Sequence, residues 1–235
     1  GLRNTIAKHG FTGVIAGIAD PDGAGPLELG DGQFIEPYAI ATDSAGEVYV
    51  VDTSNRRVQV FDADGSFLRK WSLAIISRAI AITSDDTVYV AGEDTVVVYD
   101  RNGAPLDTFG SFCRLSDSAG CVDPDGMGPL ELGDGQSFQN VGMIGGSESG
   151  IFSADDGNAR VQWLGSNGAF RAKWGSACCL FDGVGCVDPD GMGPLVLGDG
   201  QFCGPTGVAT HTSGDVLVAD YANARVQRFD CPDPR

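Results

Sequence analysis

Short runs of alternating apolar and polar residues, separated by turn-forming residues, dominate the chain. The segment from Glu36 to Trp71 illustrates the pattern, because it contains "YAIAT", "EVYVVD", "RRVQVFD" and "FLRKW" around the turns "DSAG" and "ADGS". Val, Ile, Tyr and Phe that alternate between clusters of Asp, Gly, Ser and Asn are typical of β-strands joined by hairpins. Helical periodicity is absent from this segment, so the pattern predicts a four-stranded antiparallel sheet.

The four-strand pattern recurs along the chain, and each copy fills roughly 35–40 residues, the size of one β-propeller blade. Two copies are clear, in "FQNVGMIGGSESGIFSADDGNARVQWLGSNGAFRAKWG" and "CGPTGVATHTSGDVLVADYANARVQRFD", and "SRAIAITSDDTVYVAGEDTVVVYDRNGAPLDTFG" is fainter. A single four-stranded sheet cannot cover both of its faces, so the copies must pack radially against one another. The predicted fold is therefore all-β, a β-propeller of about four blades in a single domain over residues 1–235. The predicted blades are residues 34–72, 76–111, 137–176 and 202–230.

The last copy stops after three strands, and the missing strand has a candidate at the other end of the chain. Residues 9–17, "HGFTGVIAG", stand just before a DPDG loop, as "NGAFRAKWG" stands before the loop region at Cys178. This register predicts that residues 9–17 supply the outer strand of the last blade and close the ring. The alternative is a section of a longer propeller whose remaining strands lie outside this sequence.

A loop rich in acidic residues occurs three times, as "ADPDGAGPLELGDGQ" from 19, "VDPDGMGPLELGDGQ" from 122 and "VDPDGMGPLVLGDGQ" from 187. Counted from Asp20, acids fall at positions one, three, nine and twelve and glycine at six, as in the calcium loop of an EF-hand. Position five lacks a side-chain oxygen and position twelve is Asp, so the alternative is a connection shaped only by its Pro and Gly dipeptides. The predicted Ca²⁺ ligands are Asp20, Asp22, Glu28, Asp31, Asp123, Asp125, Glu131, Asp134, Asp188, Asp190 and Asp199.

Seven cysteines are many for a cytosolic protein. Cys113 and Cys121 are eight positions apart, and Cys178 and Cys186 repeat that spacing at the matching place before "VDPDG". This repetition predicts two local disulfides and an extracytoplasmic setting, namely secreted, periplasmic or cell-surface. Zinc is the competing interpretation, but the chain has no CxxC pair and only two histidines. At least one further cysteine must be unpaired or bonded outside the chain, from the set Cys179, Cys203 and Cys231.

At this point the residues resemble the NHL-repeat β-propellers. The motifs are "GDGQF" leading into a first strand, "D-S-x-G-x-V-Y-V-x-D" across the first turn and "D-x-x-N-x-R-V-Q" before the third strand. The second blade departs, because "VAGEDTVVVYD" has neither Asn nor Arg at those places. Asn tolerates left-handed turns and Arg forms forked hydrogen bonds with carboxylates, so a structural role is predicted for these residues. The motif residues are Asp52, Asn55 and Arg57; Asp155, Asn158 and Arg160; and Asp220, Asn223 and Arg225.

Charge and hydropathy exclude two classes of partner. The formal net charge is −17, with 32 acidic and 15 basic residues, so the surface repels phosphate backbones and nucleic acid is not an expected partner. The apolar runs are shorter than the ~20 residues of a membrane helix, so membrane insertion is not expected. Such a surface attracts cations or basic surfaces instead, and the alternative is that its acidity only maintains solubility.

The function that the resemblance implies is a non-catalytic scaffold that binds a protein or glycan partner through its loops. The predicted inner strands are mostly small and apolar, and no nucleophile elbow or metalloprotease helix occurs, so catalysis is disfavoured. One alternative is a structural subunit of a surface assembly or filament that self-associates. Another is a metal-dependent lyase or lactonase-like enzyme, which His9 and His211 support poorly because such enzymes need several metal ligands.

Overall fold

A computed structural model gives the fold of the chain. It describes residues 30–92, 94–121, 133–137, 144–147, 150–181, 183, 185–186, 200–211 and 214–230. Strands make up most of the regular structure, and the described residues contain one 3-10 helix, Asp156–Asn158, and no α-helix. No helix in this part of the chain has the length and apolar character needed to cross a membrane. The prediction of an all-β fold is confirmed.

Blade 1 is an antiparallel four-stranded sheet, in the order β1-β2-β3-β4. Tight turns join its strands, and in the first turn the Asp43 side chain accepts hydrogen bonds from the Ala45 and Glu47 backbone N–H groups. Such Asx turns reverse the chain between two apolar strands. The strands are β1 (Pro37–Thr42), β2 (Val48–Asp52), β3 (Arg57–Phe61) and β4 (Phe67–Ser72).

Three more antiparallel sheets follow in chain order, and each repeats the hairpin pattern. Blade 2 contains β5 (Ala79–Ile82), β6 (Val88–Ala91), β7 (Val96–Tyr99) and β8 (Pro105–Phe109). Blade 3 contains β9 (Ile144–Ser147), β10 (Gly150–Asp155), β11 (Arg160–Leu164) and β12 (Phe170–Trp174). Blade 4 contains three strands within the described residues, which are β13 (Pro205–Thr210), β14 (Val216–Asp220) and β15 (Arg225–Phe229).

The blades pack face to face in sequence, with their first strands β1, β5, β9 and β13 as successive neighbours. Alternate residues of each central strand point to opposite faces, so one blade contributes to two interfaces. Between blades 1 and 2, Tyr49 and Val58 pack against Ile80 and Val90, and a second buried cluster joins blades 2 and 3. A third cluster joins blades 3 and 4. This radial packing of small sheets is the architecture of a β-propeller.

The two ends of the array differ from its internal boundaries. Ile40 in β1 is 44% exposed, whereas Ile80, at the matching position of β5, is 2% exposed because blade 1 covers it. Val226 in β15 is also exposed, although its counterparts Val58 and Val161 are buried by the next blade. The predicted closing strand, residues 9–17, lies outside the described residues, so closure of the ring stays a prediction.

Candidate functional site

In blade 1 the D-x-x-N-x-R-V-Q motif builds a hydrogen-bond network around one buried carboxylate. Asp52 Oδ2 accepts hydrogen bonds from Asn55 Nδ2 at 2.8 Å, Arg57 Nε at 2.7 Å and Gln59 Nε2 at 3.2 Å. The other oxygen, Oδ1, accepts from the backbone N–H of Ile35 at 2.8 Å. The Asp52 side chain is fully buried, and such a carboxylate is tolerated only when it is paired and hydrogen-bonded. The motif is therefore a structural centre in this blade.

The same network holds the "GDGQ" segment that leads into the blade. Arg57 Nη2 donates to the carbonyl oxygens of Gly30 at 3.0 Å and Gln33 at 2.8 Å. Gln59 Nε2 donates to the Gln33 carbonyl at 2.7 Å, and Gln59 Oε1 accepts from Gly32 N–H at 2.9 Å. Because the Arg and Gln side chains satisfy backbone groups of a loop, they fasten that loop to the third strand. We call this arrangement the clamp.

Blades 3 and 4 repeat the clamp. Arg160 Nη2 donates to Gly133 and Gln136 carbonyls at 2.8 and 2.9 Å, and Gln162 Nε2 donates to the Gln136 carbonyl at 2.6 Å. In blade 4 the same bonds run from Arg225 and Gln227 to the Gln201 carbonyl at 2.6 and 2.7 Å. Each motif Asp again accepts from the Asn and Arg of its own blade, through Asp155 and Asp220.

The left-handed residue of the motif turn is not the asparagine. The positive φ angles fall on the residue after it, with Arg56 at 50°, Ala159 at 51° and Ala224 at 51°. The idea that the asparagine was selected for a left-handed backbone therefore misplaces its role. The role belongs instead to its side-chain amide, and no sequence pattern indicated this.

The first predicted disulfide, Cys113–Cys121, is present and closes a ring that docks on the motif asparagine. Asn158 Nδ2 donates to the Cys113 carbonyl at 2.8 Å, and Asn158 Oδ1 accepts from Leu115 N–H at 2.8 Å. The ring also packs on Gly133 (φ 80°), where a Cβ would collide with Cys113 Sγ. The Asn158 amide therefore donates one hydrogen bond to the loop backbone and accepts another from it, as a neighbouring strand would. Gly133 has no side chain and so leaves space for Cys113 Sγ.

The second predicted disulfide, Cys178–Cys186, is also present, and its ring docks in the same way. Asn223 Nδ2 donates to the Cys178 carbonyl at 2.8 Å, and Asn223 Oδ1 accepts from Leu180 N–H at 2.9 Å. A third disulfide, Cys179–Cys203, ties this ring to the segment before β13. The sequence left both of these cysteines unassigned, although Cys203 follows "GDGQF" directly. Cys231 lies outside the described residues.

Two of the predicted calcium ligands are described, and both form ion pairs with lysine on a fourth strand. Asp31 Oδ1 lies 2.6 Å from Lys70 Nζ, and Asp134 Oδ1 lies 2.5 Å from Lys173 Nζ. The described part of the chain brings no three His, Cys, Asp or Glu side chains together as a metal site. The other predicted ligands lie outside it, namely Asp20, Asp22, Glu28, Asp123, Asp125, Glu131, Asp188, Asp190 and Asp199.

A cluster of charged groups links blade 1 to the β7–β8 turn of blade 2. Tyr49 Oη accepts from Arg69 Nη2 at 2.7 Å and donates to Asp43 Oδ2 at 3.1 Å. Arg101 Nη2 lies 3.2 Å from Asp43 and 3.3 Å from Glu47. The hydrogen bond from Arg69 lowers the pKa of Glu47, and burial raises the pKa of Tyr49 to about 12. Each of these charges is paired with a neighbour, so the cluster is suited to fastening two blades.

His211 stands in the turn after β13, where its backbone N–H donates to the Asp215 carbonyl at 2.9 Å. His9, the other predicted metal candidate, lies outside the described residues. Among the residues that the structure describes, His211 belongs to no group of three candidate metal ligands.

Exposed aromatic and aliphatic side chains gather at one end of the blades. In blade 1 this end holds the start of β1, which pairs with the end of β2, and the turn between β2 and β3. We call the corresponding end of all blades the entry face. The Arg78 guanidinium lies 5.8 Å from the Tyr38 ring and links blades 1 and 2 there. Among the described residues, the exposed apolar side chains of this face include Ile35, Tyr38, Ile76, Phe181 and Tyr221.

Solved structures of similar shape share little sequence with this chain. One is a hydrazine synthase of Kuenenia stuttgartiensis, with a TM-score of 0.47 and 12% identity, covering 77% of this chain and 41% of that one. Another is a catalytically inactive virginiamycin B lyase from Staphylococcus aureus with quinupristin, with a TM-score of 0.46 and 11% identity, covering 82% of this chain and 55% of that one.

Curated relatives match shorter stretches at higher identity. NHL repeat-containing protein 3 of Homo sapiens is 37% identical over 73 residues, which are 31% of this chain and 20% of that protein. Protein lin-41 of Caenorhabditis elegans is 51% identical over 41 residues, covering 17% and 4%, and B-box type zinc finger protein ncl-1 of the same species is 33% identical over 113 residues, covering 43% and 13%. The chain thus spans a fifth or less of the length of these relatives.

The model of the NHL repeat matches residues 34–61 and 202–229. These ranges contain the first three strands of blade 1 and the three described strands of blade 4, with the motif turn in each. The resemblance drawn from the sequence is confirmed: the chain carries NHL repeats, in its first and fourth blades.

Proposed function

We propose that this chain is a non-catalytic scaffold that binds a protein partner through its entry face. The observation that carries the proposal is the set of exposed apolar side chains on that face, in which Tyr221 is 77% exposed and Ile35 is 53% exposed. Loops held by a rigid scaffold are frequent binding sites, and aromatic anchors contribute most to protein interfaces. Here a clamp holds the segment that precedes Ile35, and the Cys178–Cys186 ring carries Phe181.

The charge of the chain favours a basic partner. A net charge of −17 accelerates the approach of a positively charged surface and makes binding sensitive to salt. Three disulfides in the described residues support a location in an oxidising compartment, because such bonds are rare in reducing cytosol. We therefore place the partner outside the cytoplasm. A glycan ligand and self-association are less well supported by apolar anchors.

Paired variants test the proposal. Tyr38→Ser with Tyr221→Ser removes two anchors of the entry face, and Leu106→Ser removes an exposed leucine of the outer strand β8 as a matched control. Affinity purification from the extracytoplasmic fraction identifies partners, and calorimetry with each purified partner measures affinity. We expect the tyrosine variant to lose binding at least tenfold and the control to retain it. Equal binding by both variants contradicts a role for the entry face.

We further propose that the acidic loops bind Ca²⁺. Carboxylates at alternate positions with a glycine at position six suit a hard cation that takes six to eight oxygen ligands. We expect the melting temperature to rise with Ca²⁺ relative to EGTA, because a ligand of the folded state stabilises it by mass action. Asp20→Asn with Asp123→Asn and Asp188→Asn should remove this rise. An identical transition of the unsubstituted chain in both conditions would eliminate the calcium hypothesis.

A further inference from the structure

One spacing is kept around all three acidic loops. The motif asparagine stands 35 residues after the first aspartate of its loop, in the pairs Asp20 and Asn55, Asp123 and Asn158, and Asp188 and Asn223. The segments that dock on this asparagine in blades 3 and 4, residues 113–115 and 178–180, begin ten residues before the same aspartate. At that distance before Asp20 stand residues 10–12, Gly-Phe-Thr. Residues 10–12 are therefore the counterpart, for blade 1, of the two docked segments.

The two docked segments and the residues just before them make the same four hydrogen bonds. In blade 4 the Asn223 side chain pairs with the Cys178 carbonyl and the Leu180 N–H. The Phe202 backbone donates to the Ser176 carbonyl and accepts from the Cys178 N–H, both at 2.8 Å. The equivalents in blade 3 are Asn158 with Cys113 and Leu115, and Ser137 with Ser111 and Cys113. In both blades the bonded residues are 45, 43, 26 and 24 positions apart.

Blade 1 has the backbone groups that would receive such a segment. Phe34 stands 14 residues after the first aspartate of its loop, as Ser137 and Phe202 do. Phe34 is only 4% exposed, so its backbone is largely shielded from water. Within the described residues neither its N–H nor its carbonyl has a hydrogen-bond partner. Because backbone groups shielded from water are nearly always paired, Phe34 requires a partner segment, as its two counterparts do.

The side chain beside the asparagine also fits this segment. Ile35 corresponds to Cys203, because the N–H of each donates to Oδ1 of its motif aspartate at 2.8 and 2.7 Å. In blade 4, Cys203 is bonded to Cys179, the middle residue of the docked segment. The middle residue of 10–12 is Phe11, and Ile35 is an exposed apolar side chain among the described residues. Two apolar side chains thus stand where blade 4 has a disulfide, and their mutual burial favours docking.

We propose that residues 8–12 of this chain dock on blade 1 with the pattern seen in blades 3 and 4. The Gly10 carbonyl accepts a hydrogen bond from Asn55 Nδ2, and the Thr12 N–H donates to Asn55 Oδ1. Phe34 donates to the carbonyl of the first residue of the segment and accepts from the Gly10 N–H. The beginning of the connection before blade 1 is thereby fastened to the blade by the same four bonds.

The docked segment of blade 1 differs from the two rings in having no disulfide. Gly10 and Ile18 stand where the rings have their cysteines, so contact between Phe11 and Ile35 takes over that role. The same residues cannot also form the outer strand predicted over 9–17. The outer strands β8 and β12 begin 18 residues before the first aspartate of the following loop, which corresponds to position 2 of the chain rather than position 9.

A cysteine cross-link in the full chain tests the register. Phe11→Cys with Ile35→Cys places two thiols as in the third disulfide of blade 4. Both are made with Cys231→Ser, which removes the remaining cysteine, and Thr5→Cys with Ile35→Cys in that background is the matched control. We expect mass spectrometry of unreduced peptides to find positions 11 and 35 cross-linked in most molecules and the control pair in few. Equal yields from the two pairs contradict the proposal.

Hydrogen exchange of the ¹⁵N-labelled full chain tests the contacts without altering the segment. We expect the Gly10 and Thr12 N–H groups to exchange at least tenfold more slowly than in an unfolded peptide of the same sequence. Asn55→Ala removes the acceptor of the Thr12 N–H and should accelerate its exchange about tenfold. Asn102→Ala, at an exposed asparagine of the β7–β8 turn, should leave it unchanged. A melting curve for each variant verifies that the blades are folded.

Fast exchange at Thr12 in the unsubstituted chain, or a Thr12 rate that Asn55→Ala does not change, would overturn the proposal. Docking covers Ile35, so the exposed anchors that the proposed function then uses are Tyr38 and Tyr221. Partner binding is tested with variants of these two tyrosines, and its failure leaves the docked segment in place. Failure of the cross-link and exchange experiments likewise leaves partner binding at the tyrosines untouched.

Discussion

Blades 2 and 3 are neighbours of the same shape, but different interactions hold them. In blade 2 the strands "AIAI", "VYVA" and "VVVY" are almost entirely buried, and Gly92 N–H closes the β6–β7 turn on the Thr95 carbonyl at 2.9 Å. Val96 stands where blade 3 has Arg160. Blade 3 has instead a buried Asp–Arg pair, a docked disulfide ring and a clamped loop.

This difference between the two blades correlates with the length of the connection that precedes each of them. Six residues, 73–78, lead from blade 1 to blade 2, whereas residues 110–143 lead from blade 2 to blade 3. The blades with a motif are those that follow a "GDGQ" segment, and the motif side chains bind that segment. The polar motif is therefore a fastener for long connections, and blade 2 shows that a blade can be built without it.

The largest expected effect comes from Arg160→Met, which breaks the clamp of blade 3. The Arg160 and Asp155 side chains are 4% and 0% exposed, so the variant leaves a buried carboxylate without its cation. We expect a loss of about 3–5 kcal/mol in the free energy of unfolding, measured by denaturant titration. Adding Asp155→Asn to the Arg160→Met variant should restore part of the lost stability, because it removes the unpaired buried charge.

An Arg→Met substitution in each of the three clamps compares how much each clamp contributes to the free energy of unfolding. Arg57 and Arg225 are 13% and 22% exposed, so Arg57→Met should cost less than Arg160→Met and Arg225→Met least. Equal losses at the three positions would mean that burial of the pair does not determine its contribution.

An apolar counterpart is Ile80→Val in blade 2. Ile80 is buried between blades 1 and 2, so removing one methylene group should cost about 0.5–1.5 kcal/mol. Ile40→Val makes the same change at the matching exposed position of blade 1, where we expect less than about 0.5 kcal/mol. Chemical denaturation measures both. A similar cost at Ile40 would show that the end of the array is covered as an internal boundary is.

A smaller change, of opposite sign, is expected for Ala224→Gly in the motif turn of blade 4. Ala224 has a φ of 51°, a left-handed conformation that glycine adopts without strain. We expect a gain of roughly 0.5–1 kcal/mol, read as a higher melting temperature. Ala222→Gly, in the same turn at a residue without positive φ, should give a small loss instead. A gain at both positions, or at neither, would contradict the assignment of the effect to the left-handed backbone of Ala224.

The smallest effect should come from the charged cluster between blades 1 and 2. The pKa of Glu47 is lowered by its hydrogen bond with Arg69, so its contribution is present at pH values above its unfolded pKa and is lost as pH falls through the folded pKa. Glu47→Gln should therefore reduce the slope of stability against pH on the acidic side. Unfolding curves recorded at several acidic pH values measure this slope. An unchanged slope contradicts the assignment to Glu47.

The alternation of apolar and turn residues predicted the blades, because hairpins and burial are encoded locally. Two disulfides were also predicted, since both rings repeat one spacing before the same loop. The pairing of Asn158 with Cys113 and Leu115 joins residues 45 and 43 positions apart, and no local pattern encodes it. Cys179–Cys203 was missed because adjacent cysteines leave the choice of partner open.

The fastening of each long connection at its two ends has a consequence for how such a chain can change. A disulfide ring fixes the beginning of the connection before blade 3, and the clamp on Gly133 and Gln136 fixes its end. A change at one end of this connection therefore leaves the fastening at the other end in place.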